Sequence, residues 1–177
     1  MHMVIRAIVY AQSKDEAFKK ATSIFEQLCE NQNPFDYFTT FAEEGSRVSC
    51  KGMWGNIIPI AKADSPEGQE LIEEGMKFTL QEANEALNSI RRNIVKFTNA
   101  ELIEENQKDD MFRYRCYCVG KYWGSGIYLY DHNGQGIRNN GDLENALSKW
   151  ACVYEKYSKP NPYEKDDIWV VPADVHC

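Results

Sequence analysis

The chain has 177 residues, of which 43% are hydrophobic and 27% are charged, and its 27 acidic and 20 basic residues give a formal net charge of −7. This length and composition allow a buried core without disulfides or structural metal, which disfavours a disordered, collagen-like or membrane-spanning protein. A surface of negative charge repels a phosphate backbone, so a nucleic-acid partner is unlikely on these grounds.

The beginning of the chain and its cysteines indicate a compartment. The apolar run before Ser13 is too short for a secretion signal or a membrane-spanning helix. The six cysteines form no compact disulfide or CxxC framework, which favours free thiols. We therefore expect a cytoplasmic chain with no membrane partner. Since no repeat or composition shift divides it, we expect a single globular domain over residues 1–177.

The first half of the chain predicts one strand, one helix and a hairpin. Residues 3–10 form a nearly continuous apolar run, typical of a strand buried on both faces, in which Arg6 would need to reach an edge. Ser13 and Glu16 have capping-box spacing and open an amphipathic helix that runs to Leu28. Residues 35–41 and 47–51 predict two strands of a hairpin, and residues 57–61 predict extended backbone.

The remainder of the chain, from Ser65 onwards, predicts three helices and three strands. Ser65 and Pro66 open a helix of roughly 30 residues, or roughly 45 Å. Thr98 and Glu101 open a short one, and a third begins at Leu143 and ends at residues 159–162. Residues 111–119, 127–130 and 168–171 predict strands, the first with clear alternation.

The order of these elements indicates the fold class. Over residues 3–119 it is β-α-β-β-α-β, the ferredoxin-like split βαβ order, and a β-α-β addition follows. We therefore expect an α+β fold in which helices pack on a mainly antiparallel sheet.

The most specific local pattern lies in residues 131–142. Five side chains stand at positions that could supply oxygen ligands: Asp131, Asn133, Gln135, Asn139 and Asp142. With Gly136 at the turn, the spacing resembles the calcium loops of the EF-hand and dockerin families, and the resemblance implies a bound calcium ion. The simpler interpretation is that Asn133 and Gly134 make a hairpin turn and that Asp142 or Asn140 caps the next helix.

A second candidate site lies near the end of the chain. If the last strand continues past Pro172, Asp174 and His176 point the same way, and a carboxylate that orients an imidazole is suited to acid–base chemistry or metal ligation. Cys177 and the pair Cys116 and Cys118 could add thiolates to a zinc site. The structural alternative is that buried free cysteines are common and that terminal residues fray.

A third candidate is a basic and aromatic surface on two predicted strands. Its residues are Arg113, Arg115, Tyr117, Tyr128 and Tyr130. Such a surface could bind a small ligand, a protein or a second copy of the chain, although aromatic residues on a sheet more often pair across strands under a helix.

The sequence lacks the motifs that would identify an enzyme. It contains no Walker A loop, dinucleotide fingerprint, GxSxG elbow or HExxH pair, and no cofactor is required by its pattern. Our first hypothesis is a non-enzymatic binding module for a protein or small ligand. The alternatives are a metal-assisted hydrolase that uses Asp174 and His176, and a structural protein stabilised by calcium in the loop from Asp131 to Asp142.

Overall fold

A mixed sheet of five strands and four helices makes up the α+β fold of the described residues in the computed structural model. These residues are 2–30, 34–41, 54–55, 57–103, 126–149 and 162–176. In chain order the elements are β1 (His2–Ala11), α1 (Lys14–Cys29), β2 (Tyr37–Thr40), β3 (Ala61–Lys62), α2 (Pro66–Lys96), α3 (Asn99–Ile103), β4 (Leu129–Tyr130), α4 (Asn140–Leu147) and β5 (Asp167–His176).

The sheet is organised around β1 and β5. These strands pair antiparallel along their whole length, from His2 opposite His176 to Ala11 opposite Asp167. The other edge of β1 pairs with β4 in parallel, and the other edge of β5 pairs with β2 and β3 antiparallel. The resulting order is β2-β5-β1-β4, with β3 also beside β5.

This strand order differs from the expected one, so the ferredoxin-like arrangement is not confirmed. The last strand was expected in a peripheral addition, but it is the antiparallel neighbour of β1. Element order along a chain does not specify which strands pair when the partners are far apart in sequence. The strands expected at residues 47–51 and 111–119 lie outside the described residues.

Both faces of β1 are buried, as its continuous apolar run predicts. Alternate residues from Met3 to Ala11 pack with the α1 residues Ala21 and Phe25 in one core cluster. On the opposite face Ile8 packs with Leu71 and other α2 residues in a second cluster. The sheet therefore lies between α1 and α2.

The last strand is longer than expected because it continues through Pro172. The backbone N–H of Arg6 donates to Tyr128 O of the β4 side at 2.9 Å, so Arg6 makes no ladder bond towards its partner Pro172. The nitrogen of Pro172 consequently points to the other edge of β5, which faces away from β1. On that edge β2 pairs with β5 as far as Ala173 and β3 pairs with it from Val170, so Pro172 lies in the gap between the two strands. A residue without an N–H is tolerated there because the ladder requires no donor at that position.

The three predicted helix starts near Ser13, Ser65 and Thr98 are confirmed. Ser13 Oγ accepts from Glu16 N at 3.2 Å, Ser65 Oγ accepts from Gly68 N at 3.1 Å, and Thr98 Oγ1 accepts from Glu101 N at 3.3 Å. The α2 helix has 31 residues, as its apolar stripe indicates. Within the described segments, no helix combines the length and hydropathy that crossing a bilayer requires. Cys29 is a free thiol, and the other cysteines lie outside the described residues.

Gly68 provides a test of the contact between the first turn of α2 and β3. A Cβ atom at this position would overlap the backbone carbonyl of Lys62. We expect Gly68→Ala to lower the free energy of unfolding by about 1–3 kcal/mol through overpacking, although alanine favours a helix by about 1 kcal/mol. Urea denaturation measures the change. Asn84→Ala, at an exposed position of the same helix, is the matched control and should give a small gain.

Candidate ligand-binding site

The face of β1 that lies towards α2 carries polar side chains at one end. His2, Val4 and Arg6 alternate with residues of the α1-side core and therefore share this face. The ladder places His176 opposite His2 and Asp174 opposite Val4. Residues from both ends of the chain thus meet on one side of the sheet.

Arg6 is buried in the interior, so the expectation that it reaches a sheet edge is wrong. Its strand lies between β5 and β4, and the residue is only 3% exposed. The guanidinium Nη2 donates to Glu74 Oε2 at 2.6 Å, and Nη1 donates to Val4 O at 2.7 Å. Burial lowers the pKa of Arg6, while the neighbouring Glu74 acts in the opposite direction. The ion pair compensates a charge that could not otherwise be buried.

Three of the side chains that helix α2 contributes to the site are spaced four residues apart along the helix. Glu70, Glu74 and Phe78 follow one another at four-residue steps and therefore lie on one face of the helix. Gly75, on the adjoining face, lets the helix approach the sheet, because a Cβ there would lie 3.3 Å from Arg6 Cδ. The Arg6 side chain consequently runs directly beneath α2.

Two histidine–carboxylate pairs lie side by side on β1, β5 and the residues before β2. Asp174 is 1% exposed, and its Oδ2 lies 3.1 Å from His2 Nδ1. His176 Nδ1 lies 2.9 Å from Asp36 Oδ2. The ring centroids of His2 and His176 are 5.1 Å apart. Asp174 and His176 do share one face of β5, but the imidazole that hydrogen-bonds to Asp174 belongs to His2.

A cavity of about 360 Å³ lies beside these groups, between β1, α2 and the residues Trp54, Ile57 and Ile58. Its charged and polar lining comes from His2, Arg6, Glu70 and Glu74. Apolar and aromatic side chains complete most of its walls, among them Trp54, Ile57, Ile58, Leu71, Phe78 and Tyr128. This size and this mixture of apolar walls with a few polar groups are typical of small-ligand sites.

Two hydrogen-bond donors in the cavity walls have no acceptor within the described part of the chain. They are Nε of Arg6 and Nε1 of Trp54, and both atoms are buried. A buried N–H without an acceptor costs free energy, and such groups are rare in folded proteins. Both residues line the cavity, so these two donors belong to its walls.

The expected basic and aromatic surface is placed only in part. Tyr128 lines the cavity, its N–H donates to Thr79 Oγ1 at 3.0 Å, and its ring lies 5.5 Å from that of Phe78. Tyr130 is 5% exposed and belongs to the core beneath α1, so these two tyrosines do not form one exposed surface. Arg113, Arg115 and Tyr117 lie outside the described residues.

The loop from Asp131 to Asp142 has the hydrogen bonds of a turn and a helix cap. Asp131 Oδ1 accepts from the backbone N–H groups of Asn133 and Gln135 at 2.9 and 2.8 Å, and Gly134 has a φ of 73°. Asp142 Oδ2 accepts from Arg138 N at 3.0 Å. The cap of α4 is Asn139, whose Oδ1 accepts from Asp142 N at 2.9 Å.

This geometry corrects two local expectations. The capping residue is neither Asp142 nor Asn140, and the helix begins at Asn140 rather than at Leu143. Asn139 is a better cap because it precedes the first helical residue and reaches the N–H three positions on. The described residues contain no group of three or more histidine, cysteine or acidic side chains arranged to hold a metal. Cys116, Cys118 and Cys177 lie outside the described residues.

Sequence reasoning missed His2, Trp54, Glu74 and Phe78 as site residues. His2 could have been found from its two-residue alternation with Arg6 on a predicted strand. Glu74 and Phe78 carried no local signal, because charged and aromatic residues are ordinary on a long amphipathic helix. Trp54 carried no local signal, because the glycine-containing stretch around it in the sequence predicts no regular element.

Comparison with known proteins gives a family match. A family model described as Domain of unknown function (DUF7995) matches residues 1–177. No curated protein and no solved structure matches the chain.

The Arg6–Glu74 pair gives a stability prediction. Glu74→Ala leaves a buried guanidinium without its carboxylate, and we expect it to lower the free energy of unfolding by about 1–3 kcal/mol. Exposed Glu73→Ala should change it by less than about 0.5 kcal/mol.

A double-mutant cycle separates the pair from other contacts of Glu74. In an Arg6→Met background, Glu74→Ala should cause little further loss in urea denaturation. Equal losses in both backgrounds would show that Glu74 stabilises the fold independently of Arg6.

Proposed function

We propose that this chain, which belongs to the family described as Domain of unknown function (DUF7995), is a binding module for a small organic ligand. The observation that supports the proposal is the cavity beneath α2, in which a buried arginine meets aromatic walls. Its charged and polar residues come from a central strand and a long helix, and sites on such elements are held more rigidly than sites on loops. The cavity volume of about 360 Å³ fits a ligand of one or two rings.

The cavity refines the earlier hypothesis of a basic and aromatic binding surface. Tyr128 is retained as a ligand-binding residue, and Arg6 supplies the cation. Phe78 is 38% exposed although it is aromatic and lines the cavity. A ligand against this ring would remove apolar surface from water, which favours binding.

A fragment screen by protein-observed NMR tests the proposal. Neutral, anionic and cationic fragments are added to ¹⁵N-labelled protein, and binders should shift resonances of β1, α2 and the Trp54 indole. Ile57→Trp places a larger side chain in the cavity lining and should weaken binding by about tenfold or more. Ile94→Trp, at a position 56% exposed on α2, is the matched control and should bind like the wild type.

Two outcomes would reject the ligand-binding module. One is that no fragment binds. The other is that the fragments that bind are unaffected by Ile57→Trp and shift resonances remote from the cavity.

The second candidate is an acid–base enzyme acting on a ligand in the same cavity, and the His2–Asp174 pair favours it. A carboxylate can only accept, so His2 Nδ1 is the donor in this pair, and Nε2, an acceptor 3.5 Å from the Tyr37 hydroxyl, is the atom that would act as the base. His2 also lines the cavity. This candidate keeps Asp174 as the orienting carboxylate but replaces His176 with His2, and it needs no metal ligand from the cysteines.

Hydrolysis of p-nitrophenyl acetate tests this candidate. A base at His2 Nε2 takes a proton from water, whose oxygen attacks the ester carbonyl and releases p-nitrophenolate and acetate. Wild-type protein should turn over the ester repeatedly and faster than buffer alone, and His2→Gln should lower the rate by about 100-fold or to the buffer rate. His176→Gln is the control and should keep the activity. Equal rates in all three proteins and in buffer would reject the enzyme.

A further inference from the structure

We propose that the ligand of the cavity is an uncharged planar ring that carries an amide-type group, with a carbonyl acceptor beside an N–H donor. This inference rests on the proposed ligand-binding function and specifies the chemical class of the ligand. The charges, the donors and the aromatic walls of the cavity each support one part of it.

The charges of the lining favour a ligand without net charge. Arg6 is matched by Glu74 at 2.6 Å, and Glu70 adds a second carboxylate to the walls. An anionic ligand would bring a further negative charge to a site that already has more acidic than basic groups. A cationic ligand would meet the Arg6 guanidinium and compete with it for Glu74. A neutral ligand avoids both costs.

The donors of the lining require an acceptor on the ligand. Arg6 Nε–H and Trp54 Nε1–H can only donate, and both lack an acceptor among the residues that the structure describes. A carbonyl oxygen has two lone pairs and is the neutral group that best accepts from such donors. A purely apolar ligand would leave these N–H groups without a partner.

The acidic side of the lining favours a donor on the ligand. Glu70 is an exposed residue of the helix face that also carries Glu74, and its carboxylate can only accept. An N–H next to the carbonyl supplies this donor without adding a charge. An amide or lactam has both groups in one plane.

The aromatic walls favour a planar ring. The Phe78 and Tyr128 rings lie 5.5 Å apart with an interplanar angle of 40°, and both line the cavity with Trp54. Aromatic side chains pack best against planar rings in offset or edge-to-face arrangements. Saturated ligands of equal size would make fewer of these contacts.

A matched series of four probes tests the class: benzamide, benzoate, benzamidine and ethylbenzene. The first three share one ring and a planar head group but differ in charge, and the fourth lacks hydrogen-bonding groups. Titrations follow the Arg6 Nε–H and Trp54 Nε1–H resonances, which are assigned with the variants Arg6→Lys and Trp54→Phe. We expect benzamide to bind about tenfold more tightly than each of the other three and to shift both resonances.

The outcomes separate this inference from the proposed function. Tighter binding of benzoate or benzamidine in the cavity would overturn the uncharged class while leaving a ligand-binding module. Equal binding of ethylbenzene and benzamide would overturn the role of the two donors. If none of the four binds while other fragments still bind in the cavity, the amide class is wrong and the module stands. If the fragment screen also finds no binder, both are wrong.

The donor variants give an independent check. Arg6→Lys keeps the positive charge but removes the Nε–H, so benzamide should lose about tenfold in affinity while ethylbenzene is unchanged. Trp54→Phe keeps an aromatic wall without the donor and should give the same selective loss. It also keeps the test valid if Arg6→Lys fails to fold. Equal losses for both probes would show that these residues act only through packing.

Discussion

The antiparallel ladder between β1 and β5 is the constraint on which the rest of the structure depends. Each residue from His2 to Ala11 is paired with a residue between Asp167 and His176, so the two ends of the chain form the centre of one sheet. The ladder brings His2 and Asp174 together across 172 positions of sequence. Side chains alternate with a period of two, so a slip of one residue in β5 would move Asp174 to the α1 face. The site therefore exists only in this register.

Packing on both faces of the ladder then determines where the cavity lies. The α1 side is filled by an apolar cluster that includes Phe25 and Val171. On the α2 side the apolar cluster ends near Leu71 and Met76, and Arg6 follows towards the start of β1. Gly75 allows the helix to lie close to Arg6 at this point. The cavity therefore lies where the apolar cluster between the sheet and α2 ends and polar side chains begin.

The sequence predicted those parts of the fold that local interactions determine. The caps at Ser13, Ser65 and Thr98 were identified because a hydroxyl and a backbone N–H three residues on are sufficient to define a helix start. The two-sided burial of β1 followed from its apolar run. The end of β5 was misjudged because Pro172 normally ends a strand, and its tolerance depends on the gap between β2 and β3.

The candidate site was harder to predict because its members are distant in sequence. Asp174 and His176 were chosen as a pair because they are neighbours on one strand. The ladder instead places a second imidazole, His2, within reach of Asp174, and Asp36 lies beside His176. Local alternation correctly placed Asp174 and His176 on one face of β5. Only the pairing of β5 with β1 on one edge and with β2 on the other determines which partners lie beside each residue.

Arg6 is the residue at which local preference and global fold disagree most. It lies in a strand whose neighbouring residues Ile5 and Ala7 are fully buried, and its own burial requires compensation from Glu74. Buried ion pairs contribute little net stability, since an apolar residue of similar volume is often as stable or more stable. Stability alone therefore does not explain an arginine here. Such inconsistencies are expected at functional sites, and this one lies in the wall of the cavity with a donor that the described protein groups leave without an acceptor.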